Sequence, residues 1–172
     1  MNSAAPLELH RETVQPDWID YNGHLNEAYY LVIFSHATDA VIDAIGLDDA
    51  TRRRTGRSIY TLETHISYLE EVGAGAEVRV ASQLLDLDEK RFHLFHAMYD
   101  CADDRLLAEA ECMLLHVDMT GDMTGDMTGP RAAPFAPEVA ERLQAIFAAH
   151  QTLPRPERAG RSVGIRRKAA KA

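Results

Sequence analysis

Apolar and polar positions change period several times along the chain, and those changes divide it into elements. Leu7 to Val14 reads as a short strand, and the QPDWIDYNG stretch that follows is kept out of regular structure by Pro16 and Gly23. From about Asn26 to Ile45 the period becomes helical. Ala28, Val32, His36, Ala40 and Ala44 fall four apart, Tyr29, Ile33, Ala37 and Val41 lie beside them, and Gly46 supplies a stop. A stripe that wide suits a helix buried against a sheet. After a polar, arginine-rich connector, DDATRRRTGR, come four strand-like stretches: roughly Ser58 to Glu70, Ala76 to Leu87, Arg91 to Tyr99 and Leu106 to Asp118. Their joints, VGAGA, DLDEK and DCADD, are short enough to predict an antiparallel meander for the last three. In the final strand Ala108, Ala110, Cys112 and Leu114 alternate with Glu109, Glu111 and Met113, so the helix belongs on the small apolar face. The order strand, long helix, four strands is an α+β layout in which one helix is wrapped by a curved antiparallel sheet.

A second helix is expected over Glu138 to His150, with Pro137 near its first turn and Val139, Leu143, Ile146 and Phe147 on one side. With 172 residues the chain has enough for one ordinary core, so residues 1–150 are expected to form a single domain. Residues 151–172, rich in Pro, Gly and Arg, read as an irregular basic tail. Between them, residues 118–129 are three tandem copies of DMTG. The Asp spacing of this repeat does not match a calcium loop and its period is too short for a solenoid, so it reads as an expansion inside a surface loop.

The net charge of −9 argues against a nucleic-acid partner. The charge is uneven, because the tail carries seven basic residues against the single Glu157. Those cations either stay solvated or, as with Arg161 and Arg166, reach phosphates of a ligand. No apolar run has the length of a membrane span and the N-terminus lacks the pattern of a secretion signal, so no membrane partner and a cytoplasmic location are expected. Cys101 and Cys112 form neither a CxxC pair nor a stapled framework and read as reduced.

Chemistry concentrates in WIDYNGHLNEAYYLVIF, Trp18 to Phe34, where a carboxylate, an amide, a glycine and a histidine precede the long helix. A helix N-terminus offers unpaired N–H groups and partial positive charge, and so can hold a developing oxyanion. Asp20, just upstream, could face the same point and activate water or attack a carbonyl. Gly23 would let the backbone come close. Asp, Asn and Gly before a helix are also ordinary turn and cap residues, and spacing alone leaves the two readings even.

The run Asp20-Tyr-Asn-Gly-His-Leu-Asn26, followed by Tyr29 and Tyr30, resembles the D-x-x-G-H-x-N signature of hotdog-fold thioesterases of the 4-hydroxybenzoyl-CoA type. The resemblance extends over THISYLEEVGAGAEVRV and the meander. It implies a hotdog fold and hydrolysis of an acyl-CoA, with Asp20 as the catalytic carboxylate. It further implies an oxyanion-binding backbone N–H at Asn26 or Glu27, and a loop braced by Gly23, His24 and Asn26. It implies no cofactor or metal, and a homodimer or dimer of dimers with the site at a subunit boundary. Trp18, Tyr30, Glu63 and His65 are the expected substrate-binding residues. The two-residue strand period places Thr61, Glu63, His65 and Ser67 on one face.

A narrower resemblance, carried by VQPDWIDYNGHLNEAYYL, THISYLEEV, Pro134-Phe135 and AGRSVGI, is to the betainyl-CoA thioesterases of carnitine breakdown. A trimethylammonium group can be held only by aromatic faces and negative charge, and Tyr21, Tyr29, Tyr60 and Tyr68 add to the aromatic residues in reach of that task. Two alternatives stay open. A hotdog enoyl-CoA hydratase would show a pattern resembling D-x-N-P-x-H, where this chain has D-x-N-G-H, and a non-catalytic acyl-CoA binding module would use Asp20 only as a turn residue.

Overall fold

The long helix α1 (Glu27–Ala44) begins where Asn26, in extended backbone, turns its side-chain oxygen to accept the Ala28 N–H at 3.0 Å. That cap satisfies one of the donors a helix start leaves over. The helix ends at Gly46, whose φ of 91° suits a residue without a Cβ. These features belong to a computed structural model that describes residues 5–120 and 129–165. The greater part of the DMTG repeat, and Arg166 in the tail, lie outside the described residues.

The strands are β1 (Leu7–Thr13), β2 (Arg57–Tyr68), β3 (Glu77–Leu87), β4 (Arg91–Asp100) and β5 (Leu106–Asp118), and they form one antiparallel sheet in the order β1-β3-β4-β5-β2. The expected meander is β3-β4-β5. A two-residue strand β6 (Arg131–Ala132) pairs with the end of β5. The sequence reading missed α2 (Asp49–Thr55), which replaces the expected connector. It is a polar helix with no buried residue and hence no hydrophobic period. Local chemistry makes it: Asp48 caps Thr51 N–H at 2.8 Å, Arg52, Arg53 and Arg54 sit at the negative end of the helix dipole, and Gly56 stops it in left-handed backbone.

α1 lies across the concave face of the sheet. Ala108, Ala110 and Cys112 of β5 are nearly excluded from solvent, and their small side chains let the helix approach. Around the first half of α1, Tyr30, Ile33, Phe34 and Ala37 pack with Val78, Val80, Met98 and Ala110. Around its second half, Val41, Ile42 and Ile45 meet Phe92, Leu94, Leu114 and Phe135. The last helix, α3 (Pro137–His150), closes this second cluster with Val139 and Leu143. Each fully buried Leu, Ile or Phe contributes about 1.5–3 kcal/mol, so the clusters fix α1 firmly and its N-terminus with it. Among the described residues no single helix is long and apolar enough to cross a membrane.

Residues 151–165 contain no helix or strand. They are nonetheless held to the convex face of the sheet. Arg158 Nη1 donates to Glu109 Oε2 at 3.1 Å, and the Gly160 N–H donates to the Glu111 carboxylate at 2.7 Å to the nearer oxygen. The alternation of β5 implied a charged outer face, and the tail covers it, which explains why Glu109 is only 9% exposed.

Candidate active site

The loop before α1 is a tight hairpin. Ile19 bridges Leu25, the Asp20 N–H donates to the His24 carbonyl at 2.8 Å, and the Gly23 N–H returns to the Asp20 carbonyl at 3.0 Å. Gly23 takes φ 84° with nothing near the position of a Cβ, so this turn needs a glycine for its backbone angle rather than for close approach. The hairpin is tied to the β2–β3 connection by the Leu25 N–H on the Val72 carbonyl at 2.8 Å, and His24 Nδ1 lies 3.1 Å from a Glu71 carboxylate oxygen. His24 therefore braces the loop through both its main chain and its ring.

Within this frame the Asp20 carboxylate folds over its own turn. Oδ1 accepts the Asn22 N–H at 2.8 Å and the His24 N–H at 3.4 Å, and Oδ2 accepts the Asn22 side-chain amide at 3.3 Å. Partial burial works to raise its pKa. The donated bonds from Asn22 and His24, with the nearby His24 ring, outweigh that and hold the carboxyl below its ordinary value. At neutral pH Asp20 is an anion ready to accept a proton or attack.

The two N–H groups expected to receive an oxyanion differ. Asn26 N–H is already committed to the Trp18 carbonyl at 2.9 Å, because the Pro16–Trp18 turn lays that carbonyl beside the helix start. Glu27 N–H, the next donor, has no acceptor among the described residues. Glu27 lines a cavity of about 650 Å³ together with Asp20, His24, Tyr30, Tyr68 and the Glu70-Glu71 pair. Among the described residues no Lys or Arg lines this cavity, while Asp20, Glu27, Glu70 and Glu71 all do. Tyr30 and Tyr68 form an edge-to-face pair with centroids 5.3 Å apart and planes at 85°. Burial raises the phenol pKa of both, helped at Tyr30 by the charges of Glu71 and Asp20 and at Tyr68 by that of Glu27.

Of the remaining expected site residues, Trp18 stacks on Tyr29 at 5.3 Å and packs against the core instead of lining the cavity. Glu63 and His65 lie on the convex face, in a separate cavity of about 310 Å³ shared with His93, Glu111 and Arg161. Within one chain they do not meet Asp20. Thr61 does not share their face, because the register slips between Thr61 and Glu63, pairing the first with inward Leu114 and the second with outward Met113. The Glu70-Glu71 pair, which the sequence reading missed as site residues, sits in the connection after β2 and carries no local signal. Among the described residues one group could hold a metal: Glu12 Oε2 lies 3.0 Å from His10 Nε2 and 2.8 Å from His36 Nδ1, and none of the three lines the Asp20 cavity.

A family model described as the thioesterase-like superfamily matches residues 14–143. The chain is 46% identical over 159 residues to a betainyl-CoA thioesterase of Pseudomonas aeruginosa, covering 92% of this chain and 95% of that protein. It is 38% identical to an L-carnitine dehydrogenase/betainyl-CoA thioesterase of Rhizobium meliloti, covering 97% of this chain but 32% of that longer protein. A Staphylococcus aureus protein solved in complex with CoA superposes with a TM-score of 0.82 at 26% identity, over 96% of this chain and all of that one.

Proposed function

This chain belongs to the thioesterase-like superfamily and is a thioester hydrolase, and on that premise we propose that it hydrolyses betainyl-CoA to betaine and free CoA, with Asp20 driving the reaction. The observation that carries the reading is the pairing, on one cavity, of Asp20, an ionised carboxylate, with Glu27, whose helix-N-terminal N–H has no acceptor among the described residues. Attack on the carbonyl carbon, by water that Asp20 deprotonates or by Asp20 itself, moves an electron pair onto the thioester oxygen. The Glu27 N–H and the dipole of α1 receive that charge. Collapse of the intermediate breaks the C–S bond, and CoA leaves as a thiolate that takes up a proton. Where water attacked, the free acid forms in this step; where Asp20 attacked, the acyl group stays on its carboxylate as an anhydride that water then hydrolyses. Asn26 supports this step as cap, and Gly23 and His24 hold the carboxylate in place.

The reading includes a homodimer. β2 is an open edge of the sheet and carries exposed Tyr60 and Leu62, a surface that a second β2 would cover. In that dimer Glu63 and His65, beside the joining edge, belong to the subunit boundary. The place in carnitine breakdown follows from the substrate. A cytoplasmic location fits the two unpaired cysteines, Cys101 and Cys112.

The test is release of CoA, followed with a thiol reagent, by wild type and by Asp20→Asn. Asn keeps the oxygen that accepts the Asn22 N–H, so the loop and the melting temperature should be preserved, while turnover should fall about 10²- to 10⁴-fold. Near-wild-type turnover in the variant would remove Asp20 from the chemistry. An acyl group altered without CoA release would make the protein a hydratase, and binding without either change would make it a binding module.

A further inference from the structure

We infer that Tyr30 and Tyr68, with Glu70 and Glu71 beside them, form the binding site for a quaternary ammonium group in the acyl chain, and that this site sets the preference for a cationic ester. The inference rests on the thioesterase reading and deepens it by naming which residues recognise the acyl group.

Position comes first. In a betainyl thioester one methylene separates the ammonium nitrogen from the carbonyl carbon, a span of about 2.5 Å at ordinary bond lengths. Whatever cavity holds the carbonyl against Asp20 must also hold the cation. Trimethylammonium has no N–H to donate, so only ring faces and negative charge can recognise it.

The Asp20 cavity supplies both. The Tyr30 hydroxyl donates to the Glu70 carbonyl and the Tyr68 hydroxyl to the Glu27 carbonyl, each at 3.2 Å. With both hydroxyls committed to the main chain, the two rings stand fixed at right angles, and a ligand need not order them. Asp20, Glu27, Glu70 and Glu71, and no Lys or Arg among the described residues, line the same space. The charges of Glu71 and Asp20 act on the Tyr30 phenol and that of Glu27 on Tyr68, while the Glu70 carboxylate also meets Arg105. For a neutral ester that ring of charge is a handicap, since negative charge develops on the carbonyl oxygen as the thioester is attacked. A cation one methylene from the carbonyl offsets it, so the acidic lining suits a positively charged acyl group and opposes a neutral one. Glu63, expected from sequence among the substrate-binding residues, faces away on the convex side, and Glu70 and Glu71 line the Asp20 cavity instead.

The experiment compares kcat/KM for betainyl-CoA and for 3,3-dimethylbutyryl-CoA, which has nearly the same shape without the charge. It is run on wild type, Tyr68→Phe, Tyr68→Leu and Glu71→Gln. The ratio of the two esters cancels any general loss of activity. Wild type should favour the cationic ester at least tenfold. Tyr68→Phe should keep the ratio. Tyr68→Leu should lower it by about two- to thirtyfold, the range that one cation–π contact supplies. Glu71→Gln removes the charge but keeps a side-chain oxygen in reach of the His24 ring, and it should lower the ratio as well. If wild type favours the cationic ester and neither Tyr68→Leu nor Glu71→Gln changes the ratio, the cation binds elsewhere and this inference falls while the proposed function stands. Equal turnover of both esters by wild type would sink the inference and the betainyl substrate together, leaving a thioesterase. Turnover of neither would likewise sink the inference and the betainyl substrate and leave a thioester hydrolase for another acyl group.

Discussion

Acidification should destabilise this protein well before its carboxylates are protonated, because of a histidine buried in the core. His96 on β4 is fully buried and stacks on Phe34 of α1. Thr38 gives its only hydroxyl hydrogen to the Phe34 carbonyl at 2.9 Å, so across the 3.0 Å contact with His96 Nε2 it must accept. Nε2 therefore carries the proton, and Nδ1 accepts from the Ser82 hydroxyl at 2.8 Å. That network fits the neutral ring, and burial pushes its pKa down from 6.5 to about 4. Between those two pH values the unfolded chain binds a proton that the folded one refuses. Stability is thus fully present above pH 6.5 and is lost as the pH falls toward 4, by about 3 kcal/mol in all and about 2 kcal/mol between pH 7 and pH 5. Burial also lowers the pKa of His116 and His150, and their loss falls in the same window, so wild type alone would exaggerate the effect. The assay is urea unfolding of wild type and His96→Gln at several pH values above 4.5, where the depressed carboxyls of Asp48, Asp88, Asp103 and Asp118 stay ionised. Gln can donate to Thr38 and accept from Ser82, so the variant should have the shallower pH dependence. Equal slopes would refute the reasoning, as would a His96 ring that protonates near pH 6.5 in an NMR titration of the folded protein.

Truncation after His150 should lower stability by about 1–2 kcal/mol, because it strips Arg158 and the Gly160 N–H from the carboxylates of Glu109 and Glu111. KM for CoA esters at low ionic strength should stay unchanged, and a raised KM with an unchanged melting temperature would instead assign the tail cations to CoA. Removing two of the three DMTG copies should shift stability by about 1 kcal/mol or less and leave kcat/KM alone. Asp118 and Arg131 already pair across that segment and a four-residue loop can close them; lost activity at an unchanged melting temperature would show that the repeat serves the site.

Elements that bury a face were legible in the sequence, and those that bury none were not. The alternation in β5 and the four-residue spacing in α1 are consequences of packing one against the other, and burial fixes such patterns with little freedom. α2 has no buried residue, so its only signals were an aspartate cap, a run of arginines and a glycine stop, which a surface connector could equally carry. The charged convex face of β5 was legible too, but what covers it was not. Arg158 and Gly160 reach Glu109 and Glu111 through a contact between segments far apart in the chain that no local period records.

The same distinction divides the site. Asp20, Gly23, His24 and Asn26 are held by hydrogen bonds local to the loop and the helix cap, so residue type and spacing marked the stretch, and it was the resemblance that chose a candidate site over an ordinary turn. The choice between two adjacent N–H groups was not local in that sense, since it depends on the short Pro16–Trp18 turn delivering a carbonyl to Asn26 and to no other donor. Glu63 shows how little is needed to mislead: one extra residue in β2, Leu62, breaks the period between Thr61 and Glu63 and reverses which side chains face inward. Past that bulge β2 delivers Tyr68 to the cavity, and the connection after it brings the Glu70-Glu71 pair. The acidic, aromatic wall that shares the cavity with Asp20 is thus built by chain that reaches this loop only through the tertiary fold, which is why the Asp20 loop could be read from sequence and the wall could not.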